Sequence, residues 1–215
     1  MNRVGPSTGL PTRTQQSDIS MLYEGSHGDT QHIVLIPGTV EECFEFGWVA
    51  FDCAERFQTP IFGLSDLDLG MNKWACSGFE YPDKPMDRGK VVKEKEVFEA
   101  FETFGRYLDI DGDGIPYRTL PGSGMDPILY RGTGHNPMGV YSEKPDDYYN
   151  LMARLRMKVD NSRDLLPEPL MREEEDSDIG VIYLGSMENS IQEIDDILLQ
   201  MGHHVNQCRV RAVSY

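Results

Sequence analysis

The chain has 215 residues, of which 39% are apolar and 10% aromatic, enough to build a core and to exclude wholesale disorder. Lys and Arg total 20 against 36 Asp and Glu, a formal net charge of −16. That balance argues against a phosphate-neutralising nucleic-acid surface and against docking on an anionic membrane. The length fits one large domain or two small ones. No run approaches the roughly 18 apolar residues of a membrane span. The opening MNRVGPSTGLPTRTQQSD has no apolar signal-peptide core. Cys43, Cys53, Cys76 and Cys208 are scattered without a CxxC, which excludes a self-contained iron–sulfur or zinc site of familiar spacing. Free thiols without a disulfide pattern fit a reducing cytoplasm.

Residues 1–30 are rich in Gly, Ser, Thr and Pro and read as an irregular loop, with a short helical piece near Ser17–Tyr23. HIVLIPG (His32–Gly38) is an apolar run closed by Pro-Gly, the pattern of a buried parallel strand. Thr39 and Glu42 make a capping box, and a helix is expected from there to about Phe57. Phe44, Trp48, Phe51 and Ala54 recur on one stripe of that helix and are expected to be its apolar face. Pro60 disfavours helix at the residue before it, and Ile61–Asp66 supplies a second buried strand, completing a βαβ unit.

From residue 70 to 135 Gly and Pro are frequent, with one helix expected over Lys95–Leu108. A further helix is expected over Tyr148–Val159, after Pro145, Asp146 and Asp147. Residues 160–177 read as a linker, with two prolines and then an acidic run. Asp178–Ser186 is expected as a strand and Met187–Gly202 as a helix capped by Gly202. On that helix Ile191, Ile194, Ile197, Leu198 and Met201 share one side, and Val205–Val213 is expected as the next strand. The expected class is therefore α/β, divided 1–70, 71–177 and 178–215. The chain stops directly after a strand and opens on a loop rich in chemistry, so both ends are expected to be cut from larger units.

Four motifs carry chemistry. Arg3–Thr14 packs two arginines, hydroxyls and glycines into a dozen residues, suited to a carboxylate or phosphate, although it lacks the GxxxxGK[ST] of a phosphate loop. Without a ligand it is a surface Pro/Gly loop. Asp109-Ile-Asp111-Gly-Asp113-Gly114 opens like a calcium loop, but its twelfth position is Leu120 and Pro116 interrupts it, so a turn with Asx-type bonds is expected. Arg131-Gly-Thr-Gly-His135-Asn-Pro is either a ligand or subunit contact or a tight loop whose His caps a backbone group. Asp66 ends a predicted strand, where it either meets a ligand or caps the following turn. Glu41 and Glu42 are explained by capping, Glu173–Glu175 by a solvated linker, and His203-His204 by a surface turn.

GPSTGLPTRTQQSD, HIVLIPGTVEECFEFGWVAFDCAERFQTPIFGLSD, DGDGIPYRTLPG and RGTGHNPMGVYSE, in that order, resemble the α subunit of 2-oxoacid:ferredoxin oxidoreductases, the 2-oxoglutarate type above others. DIGVIYLGSMENSIQEIDDILLQMG resembles the start of that subunit's next domain. The resemblance implies part of a thiamine-pyrophosphate pyrimidine-type domain, followed by the start of a transketolase C-terminal-like α/β domain. It implies oxidative decarboxylation of a 2-oxoacid to an acyl-CoA, with coenzyme A as co-substrate and ferredoxin reduced. Thiamine pyrophosphate, Mg2+ and an iron–sulfur cluster are then held mainly by a separate β subunit, with none bound by this chain alone. Arg3, Ser7 and Thr8 are expected in the substrate pocket with Arg13 beside them. Arg131, His135 and Asp66 are expected as subunit or substrate contacts. The thiamine-activating Glu is not expected in this chain, which would be inactive by itself and cytoplasmic. Ferredoxins are acidic, so a −16 chain leaves ferredoxin docking to the β subunit. The alternatives are a pyruvate or branched-chain 2-oxoacid enzyme, a non-enzymatic acidic interaction module, and a calcium-binding protein.

Overall fold

The computed structural model describes residues 15, 17–25, 30–125 and 130–214; Arg3, Ser7, Thr8 and Arg13 lie outside them. β1 (Ile33–Leu35) is buried at every position and pairs in parallel with β2 (Ile61–Gly63), Ile33 opposite Ile61. Its run is continuously apolar because both faces are covered. Ile33 and Leu35 pack with Phe46, Cys53 and Phe57, whereas Val34 and Ile36 pack with Tyr23, Leu64 and Val213. The second layer includes α1 (Ser17–Tyr23), through Ile19 and Leu22.

The connecting helix α2 (Val40–Phe57) starts as its sequence dictates. The Glu42 N–H donates to Thr39 Oγ1 at 3.2 Å, and the Glu42 carboxylate reaches back to the Gly38 N–H at 2.7 Å, one residue before the cap. Gln58 closes the helix in the left-handed region. The buried face corrects the expected one. Phe46, Cys53 and Phe57 enter the core, while Phe51 is 65% exposed. At 100° per residue the Phe44–Trp48–Phe51 stripe lies about half a turn from the core stripe. The helix carries two apolar faces, and its larger aromatics are on the outer one.

After α3 (Leu67–Met71) the chain is irregular as far as α4 (Lys95–Glu99), which ends well short of Leu108. Two contacts bend the chain there. The rings of Phe98, Phe101, Phe104 and Tyr117 gather together. Gly105 also lies so close to the Pro137 carbonyl that a Cβ would sit 2.8 Å from it. α5 (Pro145–Asp160) encloses the expected helix, with Pro145 in its first turn and two aspartates at its positive end.

The expected linker is partly ordered: a 3-10 turn (Arg163–Leu165) leads to β3 (Leu170–Arg172), an exposed edge strand antiparallel to β5 (Val205–Val210). β4 (Ile179–Leu184) pairs in parallel with β5. Between them a 3-10 turn (Gly185–Asn189) delays α6 (Ile191–Gln200), and of the expected stripe only Ile191 is buried while Ile197 and Met201 are exposed. Val205–Val213 is not one strand. It breaks at Arg211, whose carbonyl accepts the Ile36 N–H at 2.7 Å, and β6 (Ala212–Val213) then pairs antiparallel with β1. The two sheets are therefore β2-β1-β6 and β3-β5-β4, joined through Arg211. Among the described residues no helix is long and apolar enough to cross a membrane.

Candidate functional site

The loops that follow β1, β2 and β4 meet at the carboxyl edges of their strands, the edge where open parallel sheets bind ligands. Glu42, in the first turn of α2, is the hub. Its Oε1 accepts from Arg209 Nη2 at 2.6 Å and from Arg211 Nε at 2.9 Å. Its Oε2 accepts from Arg209 Nη1 at 2.9 Å and from the Gly38 N–H. Burial pushes this carboxyl up, but the forked Arg209 bond, the Gly38 N–H and the charge of Arg211 outweigh it, and the net shift is downward. Arg209 Nε lies 3.2 Å from Glu188, whose carboxylate also takes the Tyr183 hydroxyl, without an aligned hydrogen bond of its own. Burial and Glu188 push the Tyr183 phenol up to about 12.

Asp66 stands at the same edge. Its Oδ1 accepts the Leu69 N–H at 3.0 Å, which makes it the N-cap of α3, and its Oδ2 accepts the Ser186 N–H at 2.5 Å. Of the two roles open to it, capping is the one its geometry displays, extended to a bond across to the β4 loop. Gly185 must remain glycine there: its φ is +61°, and a Cβ would meet Asp66 Oδ2 at 2.5 Å.

Arg131 and His135 gather elsewhere, around Tyr107. The Arg131 N–H donates to the Tyr107 hydroxyl at 2.7 Å, and Arg131 Nε donates to the Gly139 carbonyl. His135 is buried with Nδ1 2.7 Å from the Thr133 carbonyl and its ring 3.9 Å from that of Tyr107. This is the tight-loop geometry. His135 Nε2 and Arg106 Nε are buried with no hydrogen-bond partner among the described residues. Arg106 and Arg154 lie 5.0 and 5.9 Å from the Tyr107 ring centre. Lys158, one turn beyond Arg154 on α5, is 6% exposed and contacts the Gln58 carbonyl at 3.5 Å. Burial, then Arg154 and Arg106, push its ammonium down to about 7.

Among the described residues Asp109, Asp111 and Asp113 alone bring three acidic or metal-ligating groups within reach of one ion. A cation already sits there: Lys90 Nζ is 2.5 Å from Asp111 and 2.7 Å from Asp113. Asp109 meanwhile accepts the Gly112 and Gly114 N–H groups. This is the expected Asx-bonded turn, with lysine in the place of an ion.

Residues 1–106 match the family model described as pyruvate flavodoxin/ferredoxin oxidoreductase, thiamine diP-bdg. The 2-oxoglutarate synthase subunit KorA of Methanothermobacter thermautotrophicus is 31% identical over 89% of this chain and 49% of its own length. The 2-oxoacid:ferredoxin oxidoreductase 2, subunit alpha, of Aeropyrum pernix is 29% identical over 97% of this chain and 32% of its own. Over most of its own length the chain is similar to 2-oxoacid:ferredoxin oxidoreductase α subunits. A solved 2-oxoglutarate:ferredoxin oxidoreductase from Magnetococcus marinus, with 2-oxoglutarate, coenzyme A and succinyl-CoA bound, superposes with a TM-score of 0.79 at 25% identity. That match covers 97% of this chain and 36% of the solved one. The chain thus spans about a third to a half of the length of these relatives.

Within this family frame, sequence reasoning missed the Glu42 hub and the buried cations. Glu42 was explained by a local cap, and its arginine partners lie 167 and 169 residues away. Arg154 and Lys158 did leave a signal: like charges four apart on one helix disfavour it, which marks a pair held for another reason. The Glu42 oxygens are filled by the two arginines and the Gly38 N–H, and the three clustered aspartates by Lys90 and backbone N–H groups.

Proposed function

We propose that this chain is the substrate-side part of a thiamine-pyrophosphate-dependent 2-oxoacid:ferredoxin oxidoreductase acting on 2-oxoglutarate. The observation that carries the reading is the match, over 97% of the chain, to a structure holding 2-oxoglutarate, coenzyme A and succinyl-CoA. In that reaction C1 leaves as CO2, the remaining acyl group passes to the coenzyme A sulfur, and two electrons pass to ferredoxin. In this reading Mg2+, the iron–sulfur cluster and most of the thiamine pyrophosphate contacts belong to a β subunit, in keeping with four scattered cysteines that lack cluster spacing. Residues 1–70 are then the pyrimidine-side piece and residues 178–215 the start of a transketolase C-terminal-like unit.

In this reading Arg3, Ser7 and Thr8 bind the carboxylates of the 2-oxoacid, with Arg13 adjacent, in the loop preceding β1. Arg is suited to the distal carboxylate because its planar fork makes two parallel bonds. The described residues act one step back. The Glu42–Arg209–Arg211 clamp and the Asp66–Ser186 bond fix the carboxyl ends of β1, β2 and β4 relative to one another. The Arg131–His135 loop meets the subunit seam through its exposed rim at Gly132 and Thr133, with Arg131 beside it and the buried His135 holding the loop's shape from behind. A cytoplasmic enzyme fits the free thiols.

The test is ferredoxin-linked turnover by the assembled enzyme with 2-oxoglutarate, pyruvate and a branched-chain 2-oxoacid in parallel. The reading expects 2-oxoglutarate to lead in kcat/KM, and Arg3→Ala to raise its KM at least about tenfold, or about 1.4 kcal/mol. The 215-residue chain alone should show no turnover. Preference for another acid overturns the 2-oxoglutarate assignment, and an unchanged KM removes Arg3 from the pocket.

A further inference from the structure

The outer face of α2 carries an aromatic stripe with no core to enter. The Phe44 ring stacks on Phe79 at 4.9 Å, Tyr81 meets it edge-on at 6.0 Å, and Lys84 Nζ sits 4.2 Å over the Trp48 ring. The loop around residues 79–86 is thereby held against the helix, leaving a groove of about 400 Å3 lined by Phe44, Gly47, Trp48, Phe51, Tyr81 and Met86. Tyr81 is 81% exposed and no atom lies within 4 Å of where a Gly47 Cβ would be, so the groove stands open. Exposed aromatics gathered in one patch mark an interaction site, whereas scattered ones do not.

Acidic groups outnumber basic ones around the groove. Glu41 and Glu45 stand on α2, and Glu80 and Asp83 flank Tyr81 and Pro82; all four are exposed and make no ion pair among the described residues. The one lysine in the lining, Lys84, is offset by Asp52 at 3.8 Å. A second copy of this chain would bring the same acidic rim and a further −16 of charge, so self-association through this face is disfavoured. Incoming cations are favoured by the acidic rim and by the exposed Tyr81 and Phe51 rings, the Trp48 ring being taken by Lys84.

We propose that this groove docks a segment of another polypeptide whose apolar anchor is flanked by Lys or Arg. The surface lies on the outer side of α2, opposite the core face, and the proposal holds whichever 2-oxoacid the enzyme uses. Its probes are two synthetic peptides, Lys-Arg-Leu-Phe-Leu-Arg-Lys and Glu-Glu-Leu-Phe-Leu-Glu-Glu, titrated calorimetrically into the full chain. The basic peptide is expected to bind at least about tenfold more tightly than the acidic one, and to weaken as salt rises. Phe51→Asp and Tyr81→Asp, both at exposed positions, should each abolish binding without lowering Tm. Glu80→Lys with Asp83→Lys should narrow the preference at least threefold. Equal affinity for the two peptides, no binding of the basic one up to about 1 mM, or binding retained in both Asp variants overturns the proposal. So does sedimentation showing a dimer that Phe51→Asp disperses, which would assign the face to a second copy.

Discussion

Lys158→Met should stabilise the chain, by an amount that depends on pH in a fixed direction. Lys158 is 6% exposed, its one hydrogen-bond partner is a carbonyl at 3.5 Å, and the charges nearest it are those of Arg154 and Arg106. Its pKa falls from 10.5 in the unfolded chain to about 7 in the fold. Below pH 7 both states are protonated and the fold carries the whole cost of a buried ammonium. Between about 7 and 10.5 only the unfolded chain holds the proton, so stability rises with pH across that window. Above it the cost is gone. At 1.36 kcal/mol per pH unit the full gap corresponds to about 5 kcal/mol, and local relaxation reduces what is measured to about 2–5 kcal/mol. Methionine keeps the aliphatic stem and removes the charge. Urea unfolding of both proteins from pH 6 to 10.5 reads the difference directly. The expected gain is largest at pH 6–7 and vanishes near pH 10.5. A gain that does not change with pH, or a loss at pH 6, refutes the account of Lys158 as an uncompensated buried cation.

Glu42→Ala leaves Arg209 and Arg211 without their carboxylate, and should cost about 3–5 kcal/mol in chemical unfolding. In the wild type the lowered Glu42 pKa adds stability above pH 4.5 that is lost as pH falls through the folded value, so an acid titration of Glu42→Gln should show a shallower slope there. Gly114→Ala forces a side chain onto a φ of +86° and sets its Cβ 2.6 Å from the Lys158 backbone nitrogen, and Tm should fall by several degrees in a thermal scan. Millimolar calcium should leave Tm unchanged, because Lys90 already neutralises Asp111 and Asp113; Lys90→Met should then create a measurable calcium response.

What could be read in the sequence was local. The βαβ unit shows in two short apolar runs, and Thr39, Gln58 and Pro60 punctuate the helix between them within a few residues. The class and the order of elements follow from such signals. The site was less legible because its bonds span the chain. Glu42 looks like a cap until Arg209 is folded onto it, and Asp66 looks like a turn residue until Ser186 arrives. Periodicity identifies a stripe on α2 without naming what covers it, and this helix has two. The strand at Leu170 was hidden by its prolines and its exposure, since an edge strand need not alternate. The break at Arg211 has no turn residue to announce it; the main chain changes sheets there because β1 supplies the partner.

That change of sheets bears on how the chain acquires its structure. Val34 acquires its second strand neighbour only when Val213 reaches it. During synthesis β1 and β2 can pair early, but one edge of β1 stays open until nearly the whole described chain has emerged. Closing so long a loop is slow, and an apolar strand edge left waiting can pair with other molecules in the meantime. The arginines on either side of the crossing, Arg209 and Arg211, converge on Glu42 at the start of α2. The clamp therefore forms as the late strand docks, and a chain lacking Glu42 should fold more slowly and aggregate more readily.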